Sequence, residues 1–183
     1  QERQIVAQPP IVVGGALVIP AGLLARARGE REVEPDMFAR ETKRIELAVM
    51  EAGRLTEIAL GFDPKDVSAQ KVGYDIESGS AESERLRFIE VKGRIVGAKT
   101  VTITKNEILT AFNKPEDYIL ALVEVPGSAS PSTNSCGAIV DPDTVAKCVV
   151  RYAKRPFKRE PDFGATSVNY DLDELLAGAT HPQ

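Results

Sequence analysis

Histidine and cysteine are almost missing from this chain of 183 residues. There is one His, His181, third from the end, and two Cys, Cys136 and Cys148, twelve positions apart. Structural zinc needs about four Cys or His ligands in paired spacings, so zinc is excluded. A Ser-His-Asp or Cys-His nucleophile system would rest on a tail histidine, which removes that class too. No G-x-x-x-x-G-K-S/T or G-x-G-x-x-G string occurs, so the chain is neither a nucleotide motor nor a dinucleotide binder in itself. Two separated thiols fit a reducing compartment and give no disulfide framework; the expected localisation is cytoplasmic. No apolar run reaches the roughly 18–20 residues of a membrane span, and residues 11–24 hold Gly14, Gly15 and Pro20 without a basic leader, unlike a signal peptide. Lys and Arg number 23 against 27 Asp and Glu, a net charge of −4, so no global basic field draws nucleic acid. Carboxylates, lysines and a metal are left to carry any chemistry.

What is present is ordinary for a folded domain: 43% hydrophobic and 27% charged residues, enough apolar surface for a core. Gln1 in place of Met implies excision from a longer polypeptide. Residues 10–24 read as one or two strands broken at Gly14-Gly15, and 26–35 as a charged turn. Phe38, Ile45, Ala48, Val49, Ala52, Leu55, Ile58 and Ala59 recur at helical steps, so a helix is expected over 36–60, with Asp36 as cap and Gly61 as stop. Residues 63–69 read as a loop. Strands are expected over 71–77 and 86–92, forming an antiparallel hairpin with a long polar tip, and over 100–103. Thr104-Lys105-Asn106-Glu107 has the form of a capping box opening a short helix to about Phe112. The apolar run 118–125 reads as a strand buried on both faces, and strand, helix and strand together suggest a βαβ crossover. Residues 126–140 carry no charge and begin with a Pro- and Ser-rich stretch, read as a mobile loop. A strand is expected over 146–152. Residues 151–160 hold five cations and one anion, and 162–183 four acids with no Lys or Arg.

The chemistry concentrates on the hairpin. Alternation puts Leu86, Phe88, Glu90 and Lys92 on one strand face, and Arg87, Ile89 and Val91 on the other. Two charges thus extend an apolar row, which is costly unless they pair or bind metal. Across the hairpin Asp75 falls near Glu90. Two converging carboxylates beside an ammonium suit Mg²⁺ or Mn²⁺, a hard cation often held by one or two carboxylates plus water and phosphate. So placed, the ion would activate water against a phosphodiester, while the lysine would stabilise charge on phosphorus or help deprotonate the water. The competing readings are an exposed ion pair for Glu90 and Lys92 and turn chemistry for Asp75.

D-(x)n-E-x-K on a hairpin within α-β-β-β-α-β order resembles the PD-(D/E)XK (restriction-endonuclease-like) nuclease superfamily. More narrowly, GYDIES (73–78), RFIEVKGR (87–94) and TKNEILTA (104–111) resemble the domain of uncharacterised function named after the C-terminal domain of the plant protein NO VEIN. That domain recurs at the C-terminus of Swi/Snf-type helicases of bacteria and archaea. The tail RPFKREPDFGATSVNYDLDELL (155–176) resembles the end of such helicases. The narrow resemblance covers about 36–125. It implies an α/β (α+β) fold with a mixed sheet flanked by helices and extra terminal strands. The expected division is an N-terminal strand segment (1–35), the core (36–125), the loop (126–140) and a C-terminal strand, basic segment and acidic tail (141–183). It further implies Asp75 and Glu90 as metal ligands, Lys92 as catalytic lysine and Glu46 as supporting acid. Asn106 and Glu107 stand where some members place an auxiliary residue, and Tyr74 stands where the eponymous motif has Pro. Glu46 also reads as a solvated helix position paired with Lys43, and Glu107 as a plain cap.

The expected activity is metal-dependent hydrolysis of nucleic-acid phosphodiesters, DNA ahead of RNA, by a hydrolase joined to helicase motor domains in one polypeptide, with no membrane partner. The alternatives are an inactive module binding nucleic acid or a partner, and a domain bracing the helicase lobes. Arg151, Lys154, Arg155, Lys158 and Arg159 are the candidate phosphate contacts, with Tyr152 and Phe157 interleaved for stacking or for packing.

Overall fold

The computed structural model describes residues 35–80, 83–126 and 142–183, with scattered positions between 14 and 28. The expected strands of 10–24, the charged turn of 26–35 and the loop of 126–140 fall almost wholly outside the described residues. The chain divides into two compact units, Gln1–Ala39 and Arg40–Gln183; all that follows concerns the second, apart from the first residues of one helix.

That helix, α1 (Pro35–Ala59), fits the expected span. Ala48, Val49 and Ala52 form its buried stripe, at the three- and four-residue steps that line one helix face. β1 (Asp63–Asp66) and a 3₁₀ turn (Ser68–Gln70) follow, where the sequence reads as a loop; β1 is a mostly exposed edge strand with no apolar alternation to betray it. β2 (Ile76–Ser80) and β3 (Ser83–Ile95) pair antiparallel. The first strand of the hairpin therefore starts at Ile76 and not at the predicted 71, and both strands run into the expected long tip. Gly73 explains the late start. Its φ is +93°, a left-handed conformation, and a Cβ there would meet Thr110 Oγ1 at 2.2 Å, so the chain is still turning against the next helix.

β4 (Thr100–Thr104) leads into α2 (Lys105–Asn113) through the capping box that the sequence announces. β5 (Tyr118–Val125) is buried along nearly its whole length. α3 (Pro142–Ala146) precedes β6 (Val149–Lys154), correcting the strand expected over 146–152; Pro142 and Asp143 suit a helical first turn. The acidic tail folds as β7 (Ser167–Asp171) and α4 (Leu172–Ala177), with Asp171 capping the helix.

The main sheet has the order β1-β2-β3-β5-β6, with only β3 and β5 parallel. β4 pairs with β7 in a separate ribbon. The predicted crossover is thus corrected: the parallel partner of β5 is β3, and β4 lies in the connection. On one face Ile89, Val91, Ile119, Ala121 and Val123 pack with α1 and α3. On the other, Tyr118, Leu120 and Leu122 pack with α2, α4 and the ribbon. Among the described residues no helix is long and apolar enough to cross a membrane.

Candidate active site

The site lies where the β2–β3 ladder stops. The last paired residues are Ile76 and Ile89. One step further, the Asp75 N–H still donates to the Ile89 carbonyl at 2.9 Å. The next bond is made by a side chain: Asp75 Oδ2 accepts the Val91 N–H at 3.0 Å. Among the described residues no strand continues along this edge of β3, and a cavity of about 330 Å³ opens there, lined by Asp75, Lys92 and Arg94 and by Glu46, Val49 and Met50 of α1.

Close packing makes the opening. Gly93 lets α1 rest on β3, since a Cβ there would lie 2.3 Å from Val49 Cγ2. That contact brings Glu46, one turn earlier on α1, to the mouth of the cavity as an exposed carboxylate.

On the α2 side, Lys92 Nζ lies 2.6 Å from Glu90 Oε1 and 3.0 Å from Glu107 Oε2. Glu107 is also the expected cap: the same Oε2 accepts the Thr104 N–H at 2.9 Å, closing the capping box. Glu90 is 3% exposed. Burial pushes its carboxyl up to about 8, with the Asp75 charge adding to the rise and Lys92 opposing it. Asp75 is also raised, chiefly by burial, against the Val91 N–H and Lys92. Burial works against the Lys92 charge as well, but Glu90 and Glu107 outweigh it and hold the ammonium above its ordinary value. The cluster therefore sets three carboxyl groups around one ammonium in a poorly solvated place, and the most buried of them, Glu90, is the hardest to ionise.

Of the predicted residues, Asp75, Glu90 and Lys92 come together here, and Glu46 shares the cavity wall with Asp75 and Lys92. Asn106 does not join them; its amide donates to the Lys71 carbonyl at 3.2 Å and ties α2 to the turn before Gly73. The basic segment lies apart, beside a larger cavity of about 750 Å³. Its charges are surface ones, and two of its cations are paired, Arg155 with Glu116 and Lys158 with Glu174.

Tyr152 and Phe157 are core residues, 2% and 7% exposed, so packing and not stacking accounts for both. Sequence reasoning did not single out Tyr118. Its hydroxyl is buried without a hydrogen-bond partner among the described residues, and burial, then the charges of Glu90, Glu107 and Asp75, hold it protonated.

A mixed α/β domain with an acid–lysine cluster at an open strand edge is the class that fold and site define. Residues 45–134 match the family model described as protein NO VEIN, C-terminal. The matched segment contains Glu46, Asp75, Glu90, Lys92 and Glu107. No curated protein and no solved structure matches the chain.

Proposed function

We propose that this domain is a metal-dependent nuclease, hydrolysing phosphodiesters of DNA ahead of RNA, in a polypeptide that also carries helicase motor domains. The observation that carries the reading is the crowding of acids at the end of β2. Asp75, Glu90 and Glu107 converge on the single ammonium of Lys92, and Glu90 is almost fully buried and held above the usual carboxylate range. A divalent cation would let both Asp75 and Glu90 ionise there. Among the described residues no three His, Cys, Asp or Glu side chains group to hold a metal. The proposed donors are the two carboxylates Asp75 and Glu90, and Mg²⁺ or Mn²⁺ can be held by one or two carboxylates with water and phosphate completing the shell.

Asp75 and Glu90 would hold the ion, which supplies Lewis-acid polarisation of the phosphate and a more acidic water. Lys92 stays protonated at neutral pH, because its neighbours hold it above the ordinary lysine value. It therefore stabilises charge on the phosphate and does not serve as the base. Glu107 keeps that ammonium in place. Glu46, the exposed carboxylate of the same cavity, takes the proton from water.

The test is calorimetric titration of Mn²⁺ into the wild type and Asp75→Ala, followed by cleavage assays on single- and double-stranded DNA. Metal binding lost in the variant, with cleavage by the wild type, supports the reading. No binding by either protein overturns it. A second reading, a binding module without turnover, draws on Arg151, Lys154 and Arg159, which form no ion pair among the described residues. It expects salt-sensitive nucleic-acid binding that survives Asp75→Ala.

A further inference from the structure

β3 runs on past the acid–lysine pair, and alternation puts Arg94 on the face of Glu90 and Lys92. Its guanidinium is pinned by two neutral acceptors. Nε donates to the Thr100 carbonyl at 3.0 Å and Nη1 to the Gly93 carbonyl at 2.7 Å. A guanidinium has five N–H donors, so the terminal nitrogens keep the rest. Glu124 stands opposite Arg94 in the parallel register, yet Arg94 forms no ion pair with it or with any other carboxylate among the described residues. Lys92, by contrast, is engaged by two. Arg94 lines the same cavity as Asp75 and Lys92.

A half-buried cation, oriented by carbonyls and lacking a counter-ion, is matched to an oxyanion from outside. A planar fork suits a phosphate, which it can grip with two N–H groups. We propose that Arg94 binds a backbone phosphate of the substrate, holding the strand across the cavity so that the neighbouring phosphodiester meets Asp75, Glu90 and Lys92. This rests on the proposed nuclease reading. It makes the substrate a polynucleotide strand and not a mononucleotide, since two phosphates are engaged at once.

The test is fluorescence anisotropy of short end-labelled single-stranded DNA, double-stranded DNA and RNA, with Ca²⁺ in place of Mg²⁺, over a salt series. Arg94→Gln is expected to weaken binding about tenfold and to lower the slope of log affinity against log salt by about 0.7–0.9. Arg94→Lys is expected to keep the slope and lose part of the affinity. Mn²⁺ titration should match wild type in both variants, and both should remain folded at the assay temperature, with a modest drop in midpoint from the lost carbonyl bonds. Wild-type binding with an unchanged Arg94→Gln affinity and slope overturns the role of Arg94 and leaves the nuclease reading standing. Weaker binding together with lost metal affinity, or with loss of the folded state at the assay temperature, also overturns it, marking Arg94 as structural. No binding of any of the three probes by wild type defeats the nuclease reading and this inference with it.

Discussion

Replacing Glu90 by Gln separates a metal-ready acid from a structural ion pair. Folding raises the Glu90 carboxyl from 4.5 to about 8. A group raised on folding gives stability that is full below the unfolded value and lost as pH climbs through the folded one. The window is therefore pH 4.5 to about 8. At about 1.4 kcal/mol per unit the ceiling is roughly 5 kcal/mol, and sharing of the charge with Lys92 brings the expected loss to about 2–3 kcal/mol. The amide of the variant would not titrate. Urea unfolding followed by far-ultraviolet circular dichroism, in a chelator and at pH 5, 7 and 9, should show wild type losing stability relative to Glu90→Gln as pH rises. Near 2–4 °C per kcal/mol, the variant should melt about 5–10 °C higher at the alkaline end. Parallel profiles, or a variant markedly less stable at pH 9, would refute the reasoning and favour a brace.

Two further changes probe the frame around the site. Gly93→Ala sets a Cβ 2.3 Å from Val49 Cγ2, so chemical denaturation should show a loss of about 1–3 kcal/mol, much of it restored by adding Val49→Ala. Arg87→Met leaves Glu57, 0% exposed, with the Tyr152 hydroxyl but without its 3.3 Å cation; a loss of about 3–5 kcal/mol is expected, and Glu57→Gln in the same chain should recover a large share.

Much of this was legible in the sequence where local pattern and tertiary packing agree. The apolar run of β5 needs burial on both faces, and a central strand supplies it. Thr104 and Glu107 announce α2 because capping is local chemistry. The alternation of β3 placed Glu90 and Lys92 correctly because one face meets α1 and the other α2. Legibility failed where partners are remote. β1 is charged and exposed, and only its pairing with β2 makes it a strand. β4 finds β7 more than sixty residues on. Glu107 reads as a cap, and nothing local says that the same carboxylate also reaches Lys92.

The mistaken start of β2 carries the most information. Periodicity extends that strand back through Gly73, but a strand there would have occupied the Val91 N–H and closed the edge of β3. The left-handed turn at Gly73, seated against Thr110 and tied by Asn106 to Lys71, ends the ladder early. Asp75 then uses its side chain where a backbone carbonyl would have stood. A carboxylate is thereby fixed beside Glu90 at an edge open to solvent, a position that uninterrupted pairing could not give it. The local pattern breaks where the acids and Lys92 are brought together, which is what the proposed nuclease reading expects, since folds depart from their own regularities at functional sites.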